Sequence, residues 1–128
     1  VKTLLMDGGG AKTDDDGYEK RLISKQGDRI LIVNISDIYF VKSTAGGVCA
    51  YGFNKVYPIG SSLDQLESQL DPKSFIRLHR SYMININYIK EIQRWFGGKL
   101  MLIMSDEKKT ELNSSREGAK KVKQFFSF

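Results

Sequence analysis

Short apolar blocks recur along the chain, and turn residues separate them. Arg21-Leu22-Ile23-Ser24 and Arg29-Ile30-Leu31-Ile32-Val33 flank Gly27-Asp28, which predicts a β-hairpin. Ile38-Tyr39-Phe40-Val41, Val48-Cys49-Ala50-Tyr51 and Val56-Tyr57-Pro58-Ile59 follow as further strands. Pro58 cannot donate to a ladder, so its strand belongs at a sheet edge or ends there. Residues 75–78 alternate around Ile76 and Leu78, and Tyr82-Met83-Ile84 resumes after a polar corner. Residues 88–95 and 99–104 form another pair across Gly97-Gly98. The unbroken apolar run from Leu100 to Met104 predicts a strand covered on both faces. Thr110-Glu111-Leu112 is the last strand, after a turn at residues 105–108.

Two segments switch to helical spacing. Leu63, Leu66 and Leu70 share one stripe behind a Ser61 or Ser62 cap, and Asp71-Pro72 stops the helix. Two turns with such a stripe make a structural clamp rather than a nucleic-acid-reading helix. Asn113-Ser114-Ser115 caps a C-terminal helix whose stripe is Ala119, Val122, Phe125 and Phe126, with Lys120, Lys121 and Lys123 mainly off it. The expected class is mainly β, with one short internal helix and one C-terminal helix.

Residues 1–18 break the pattern. Gly8-Gly9-Gly10 and Asp14-Asp15-Asp16 read as a linker or a cloning remnant, and residues 19–128 as the folded domain. The aspartates lack the ligand spacing of an EF-hand loop. Gly10-Ala11-Lys12-Thr13 lacks the glycine before the lysine that a phosphate-binding loop needs.

Composition narrows the chemistry. The 128 residues contain one cysteine, Cys49, and one histidine, His79, which excludes an internal disulfide and a thiolate or multi-histidine metal site. No cofactor is expected, and the methionines serve as core filler. No apolar run is long enough to span a bilayer, and no signal peptide is read, so a cytoplasmic location is expected and the sequons at Asn34 and Asn113 are treated as chance. Charge is uneven: residues 1–20 hold three basic and five acidic groups, leaving 17 basic against 10 acidic in the rest. A domain this basic favours polyanions through counterion release.

Three polar outcrops interrupt the strands. One is Lys42-Ser43-Thr44-Ala45-Gly46-Gly47, which reads equally as a ligand-contacting loop or a plain hairpin turn. The second is His79-Arg80-Ser81. A guanidinium on a strand end suits a phosphate or the O6/N7 edge of guanine, but on these residues alone a surface arginine beside a hydrogen-bonded histidine is the simpler explanation. The third is Asn113-Ser114-Ser115-Arg116, a helix N-terminus suited to phosphate. Arg116 opposes the helix dipole there, a local cost that hints at a role.

The wider pattern resembles the LytTR-type DNA-binding domain of bacterial response regulators. It is carried by Phe75-x-Arg77-x-His79-Arg80-Ser81-Tyr82-x-Ile84-Asn85-x-x-x-Ile89. Asp37-Ile38-Tyr39-Phe40 and Leu63-Asp64-Gln65-Leu66-Glu67 agree upstream, and Leu112-Asn113-Ser114-Ser115-Arg116 agrees downstream. The match spans about residues 20–126. It implies an elongated antiparallel β-sandwich of small sheets that inserts loops into successive major grooves and bends the duplex. It implies base contacts from Lys42, Ser43, Thr44, Arg80 and Arg116. It implies phosphate contacts from His79, Ser81, Ser114, Ser115 and Lys120. In this chain the first loop ends in Gly46-Gly47, where some relatives carry a large polar side chain. A receiver domain upstream and two copies on repeated half-sites are expected from family usage, with no membrane partner.

The function expected is sequence-specific duplex binding as the output module of a transcription regulator. The alternative is a β-sheet module that docks a protein or membrane surface without nucleic-acid specificity. An enzyme is not expected: His79 and Ser81 on one strand end form no triad, and no Gly-x-Ser-x-Gly elbow exists.

Overall fold

The computed structural model describes residues 17–128. The readings above that concern the glycine and aspartate runs fall on residues 1–16, outside the described residues.

Among the described residues there are ten strands and two α-helices: β1 Arg21–Gln26, β2 Arg29–Asn34, β3 Ile38–Thr44, β4 Gly47–Gly52, β5 Lys55–Ile59, α1 Leu63–Gln69, β6 Phe75–His79, β7 Tyr82–Asn85, β8 Ile89–Arg94, β9 Leu100–Met104, β10 Glu111–Asn113 and α2 Arg116–Phe126. They form three antiparallel sheets: β1-β2, β5-β4-β3-β7-β6 and β10-β9-β8. The mainly β class with two helices is as the sequence predicts. Pro58 lies in β5, an edge strand of the five-stranded sheet, where its missing donor costs no ladder bond.

The five-stranded sheet is the middle layer, because its strands alternate between two cores. Val41, Phe75 and Met83 face one core, filled from the other side by Leu22 and Val33 of the hairpin and by Leu63, Leu66 and Leu70 of the α1 region. Phe40, Ile76, Leu78 and Ile84 face the second core, filled by Leu100, Leu102, Met104 and Leu112 and by Ala119 and Val122 of α2. Ser62 caps α1 through a reciprocal box with Gln65.

Two expectations need correction. The stripe of α2 stays buried only as far as Val122; Phe125 and Phe126 are exposed, because the last turn of the helix extends past its packing surface. Residues 42–44 are not a loop. They complete β3 and pair with β4 as Lys42↔Cys49, Ser43↔Val48 and Thr44↔Gly47, leaving only Ala45-Gly46 as the turn. The polar side chains hid a strand whose pairing is set by its backbone.

Candidate nucleic-acid interface

The middle sheet positions the site. Strand β3 runs antiparallel to β7, with Lys42 opposite Tyr82, and β6 meets β7 with His79 opposite Tyr82. The Ala45-Gly46 and Arg80-Ser81 turns therefore emerge from the same end of the sheet. The Ser43 N–H donates to the Ser81 carbonyl at 2.8 Å, which ties one tip to the other.

The third outcrop joins from α2. The Ser115 N–H donates to the Leu78 carbonyl at 3.0 Å, and the Tyr82 hydroxyl donates to the Asn113 carbonyl. Gly118 makes the close approach possible: a Cβ there would lie 1.9 Å from the Leu78 carbonyl oxygen. Only a residue without a side chain allows helix and strand backbones to meet this closely. Three segments far apart in sequence thus share one edge.

Arg77 braces the corner from behind. Its Nε donates to the His79 carbonyl at 3.0 Å and its Nη2 to the Arg80 carbonyl at 2.7 Å. Its Nη1 pairs with Asp64 and Glu67 of α1, each at 3.0 Å. The planar fork fits two turn carbonyls and two carboxylates at once, a geometry lysine cannot copy. With Arg77 so committed, the neighbouring Arg80 side chain is exposed and has no ion-pair or hydrogen-bond partner among the described residues.

His79 is half-buried and stacks on Tyr82, ring centroids 4.9 Å apart. Its Nδ1 accepts from the Ser81 N–H at 3.1 Å, so the neutral ring carries its proton on Nε2. Burial lowers the imidazole pKa below its ordinary value, and the charges of Arg80, Lys99 and Arg77 push the same way. A neutral ring donating Nε2–H to an anionic oxygen fits that environment.

Arg116, the first helical residue after the Ser115 cap, is exposed, and its Nε donates to the Gly97 carbonyl at 3.0 Å. That bond aims the guanidinium and joins the β8–β9 tip to the edge. The Trp95 and Phe96 rings of that tip, with Lys99, line one groove with His79 and Asn113. The sequence reading missed both this tip and Arg77.

The remaining site residues divide. Ser81 and the strongly exposed Lys120 are accessible; the 3.8 Å pair of Lys120 with Glu117 is too weakly held to occupy the lysine. Ser115 uses its hydroxyl to accept from Gly118 N–H and to meet the Leu78 carbonyl. Ser114 is only 2% exposed; its hydroxyl accepts from Leu100 N–H and its own N–H donates to the Leu100 carbonyl. Its side chain faces inward and fixes β10 to β9, so contact with a surface anion would require breaking those bonds. In β3, successive side chains point to opposite faces. Lys42 therefore leaves the sheet away from Ser43, into a groove also lined by Tyr51, Asp106 and Glu107. The Thr44 hydroxyl closes its own turn by donating to the Gly47 carbonyl and accepting from Gly46 N–H. The plain-hairpin alternative describes this segment.

Comparison with known proteins identifies the architecture. Residues 28–127 match the family model described as the LytTr DNA-binding domain. This chain belongs to the LytTR family. It is 37% identical over 105 residues to the sensory transduction protein LytT of Bacillus subtilis, covering 82% of this chain and 43% of that protein. It is 31% identical over 98 residues to the transcriptional regulatory protein LytR of Staphylococcus aureus, covering 77% and 40%. The chain thus spans about two-fifths of these relatives. A solved LytTr DNA-binding domain of a Bacillus cereus methyl-accepting/DNA response regulator superposes with a TM-score of 0.76 at 23% identity, covering 86% of this chain and 99% of that one, a likeness of fold. The family is one of DNA-binding domains and not an enzyme class. Among the described residues no group of His, Cys, Asp and Glu is arranged to hold a metal, and no helix is long and apolar enough to cross a membrane.

Proposed function

We propose that this LytTR domain binds double-stranded DNA sequence-specifically, with the edge built by the β3–β4, β6–β7 and β10–α2 junctions facing the major groove. The observation that carries this reading is the joining of the three outcrops through Ser43–Ser81, Ser115–Leu78 and Tyr82–Asn113, with the Arg80 and Arg116 side chains exposed and outside any ion pair among the described residues. Arg80 supplies the primary base contact and Arg116 the second. His79 Nε2–H, the Ser81 hydroxyl, Lys120 and the free N–H groups of the first turn of α2 hold phosphates, which set register rather than sequence. Ser43 and Thr44 make a smaller contribution at the tight β3–β4 turn. Lys42 contributes charge, and Ser114 and Ser115 support the backbone.

In this reading the domain is the output module of a cytoplasmic transcription regulator. Residues 19–128 form that module and residues 1–18 link it to a receiver domain. Two copies occupy repeated half-sites. Selection from a random duplex pool tests the function: a recurring motif, lost steeply as salt rises, is expected. Equal retention on duplex and on acidic protein would contradict it.

One observation favours a second reading, docking to a protein surface. Ile23, Ile30 and Ile32 stand more than half exposed on the outer face of the β1–β2 hairpin, with Ile23 directly opposite Ile32. That face lies on a different sheet from the basic edge, so mutations at the two separate the readings.

A further inference from the structure

Phe96 is 89% exposed, more than any other large hydrophobic residue described. It does not collapse onto the domain because its turn holds it out. Gly97 and Gly98 both take φ of 75°, the Trp95 N–H donates to the Lys99 carbonyl at 3.0 Å, and Arg116 Nε grips the Gly97 carbonyl at 3.0 Å. The indole of Trp95 lies nearly parallel to the Phe96 ring, 9° between planes and 6.4 Å between centroids, and backs it from one side. The result is an apolar knob on a preorganised hairpin.

Its surroundings are cationic. Arg94 and Lys99 flank the aromatic pair in sequence, and Arg116 is bonded to the turn itself. Lys99 lies close enough to His79 for its charge to act on that imidazole. The knob is therefore continuous with the proposed DNA edge. An exposed aromatic beside cations complements a polyanion whose bases offer apolar faces where a step opens, as a nucleic-acid duplex can.

We propose that Phe96 is a wedge that enters the groove occupied by the Arg80 and Arg116 contacts and parts an adjacent base step, with Trp95 as its backstop. A rigid apolar side chain inserted at a step kinks the helix and is insensitive to base-edge hydrogen bonding, so the wedge sets affinity and bend while the arginines set sequence. Flexible pyrimidine–purine steps yield most easily and are the expected point of entry. This inference rests on the DNA reading above.

The test uses the whole chain and a duplex bearing one half-site, taken from the selected pool. Affinity is measured by anisotropy, bend by fluorescence energy transfer between the duplex ends, and unstacking by 2-aminopurine at the flanking step. Phe96→Ala should weaken binding about 5- to 160-fold, the range expected for losing one aromatic–base contact. It should also reduce the bend and the 2-aminopurine signal and relax the preference at the kinked step, while leaving the base preferences at the arginine-read positions unchanged. Phe96→Leu, which keeps apolar bulk, should restore most of the bend. Unchanged affinity and bend in Phe96→Ala, with thermal melting equal to wild type, would overturn the wedge. So would a defect seen only on paired half-sites, which would make the knob a contact between two copies. If the wild-type chain enriches no duplex at all, the DNA reading fails and the wedge with it. If Arg80→Ala loses discrimination while Phe96→Ala behaves as wild type, the wedge alone fails.

Discussion

Gly118 of α2 lies directly against the carbonyl of Leu78, so close that a Cβ would sit 1.9 Å from that oxygen. This approach holds the start of the helix, and Arg116 with it, beside the turn that carries Arg80. Gly118→Ala gains helix propensity, about 1 kcal/mol in a helix interior, but must push two backbones apart. Overpacking of this kind costs about 1–3 kcal/mol, and the contact is with backbone, which yields least. We expect net destabilisation in urea melts and weaker specific DNA binding. Stability equal to or above wild type would show that the helix can move at no cost.

Arg77→Lys keeps the charge and removes the fork. Two turn carbonyls, those of His79 and Arg80, lose their shared donor. The carboxylate partners matter less, because Asp64 is almost fully exposed and water screens that pair. A loss of about 1–2 kcal/mol in stability is expected from the two hydrogen bonds. Specific affinity should also fall although Arg77 has no assigned DNA contact. Equal affinity in Arg77→Lys would mean that the Arg80 turn needs no brace.

His79 is the one histidine of the chain, so it dominates side-chain titration around pH 6 to 7. Its folded pKa is lowered by burial and by Arg80, Lys99 and Arg77. As pH falls through about 6.5, the unfolded chain takes up a proton that the folded chain still refuses. Stability should therefore decline on acidification from neutral pH, and the loss from this group should level off below the folded pKa. Protonating Nδ1 also removes its bond from Ser81 N–H. Urea melts between pH 7.5 and 5 should show a pH slope in wild type that is smaller in His79→Gln; equal slopes would place the ring in an unperturbed setting.

Ile32→Lys tests the outer hairpin face. Ile32 is 59% exposed, so the isolated domain should keep its stability within about 0.5 kcal/mol and its DNA affinity within two-fold. Loss of binding to a selected duplex would place that face at or near the nucleic acid.

Much of the framework was legible because it depends on local pattern. The alternation in β6, the apolar runs of β7 and β9, the serine cap of α1 and the position of Pro58 each have a signal within a few residues. What escaped depends on distant partners. Arg77 looks like any polar strand residue until Asp64 and Glu67, 13 and 10 positions upstream, come to it. The β8–β9 tip reads as an ordinary Gly-Gly turn until Arg116, 19 positions on, grips it. Residues 42–44 read as a loop because their side chains are polar, although their backbones pair with β4. Ser114 follows the family pattern for a surface anion contact, yet its hydroxyl turns inward to Leu100. The exposure of Phe125 and Phe126 has no periodic signal, since their spacing is that of a buried stripe.

The most direct measurement compares wild type and Arg80→Ala on the selected duplex and on a scrambled one at one fixed salt concentration. Wild type should prefer the selected sequence, and Arg80→Ala should lose about 1–3 kcal/mol of that preference while its binding to scrambled duplex changes little. An unchanged preference in Arg80→Ala would contradict sequence reading by this edge.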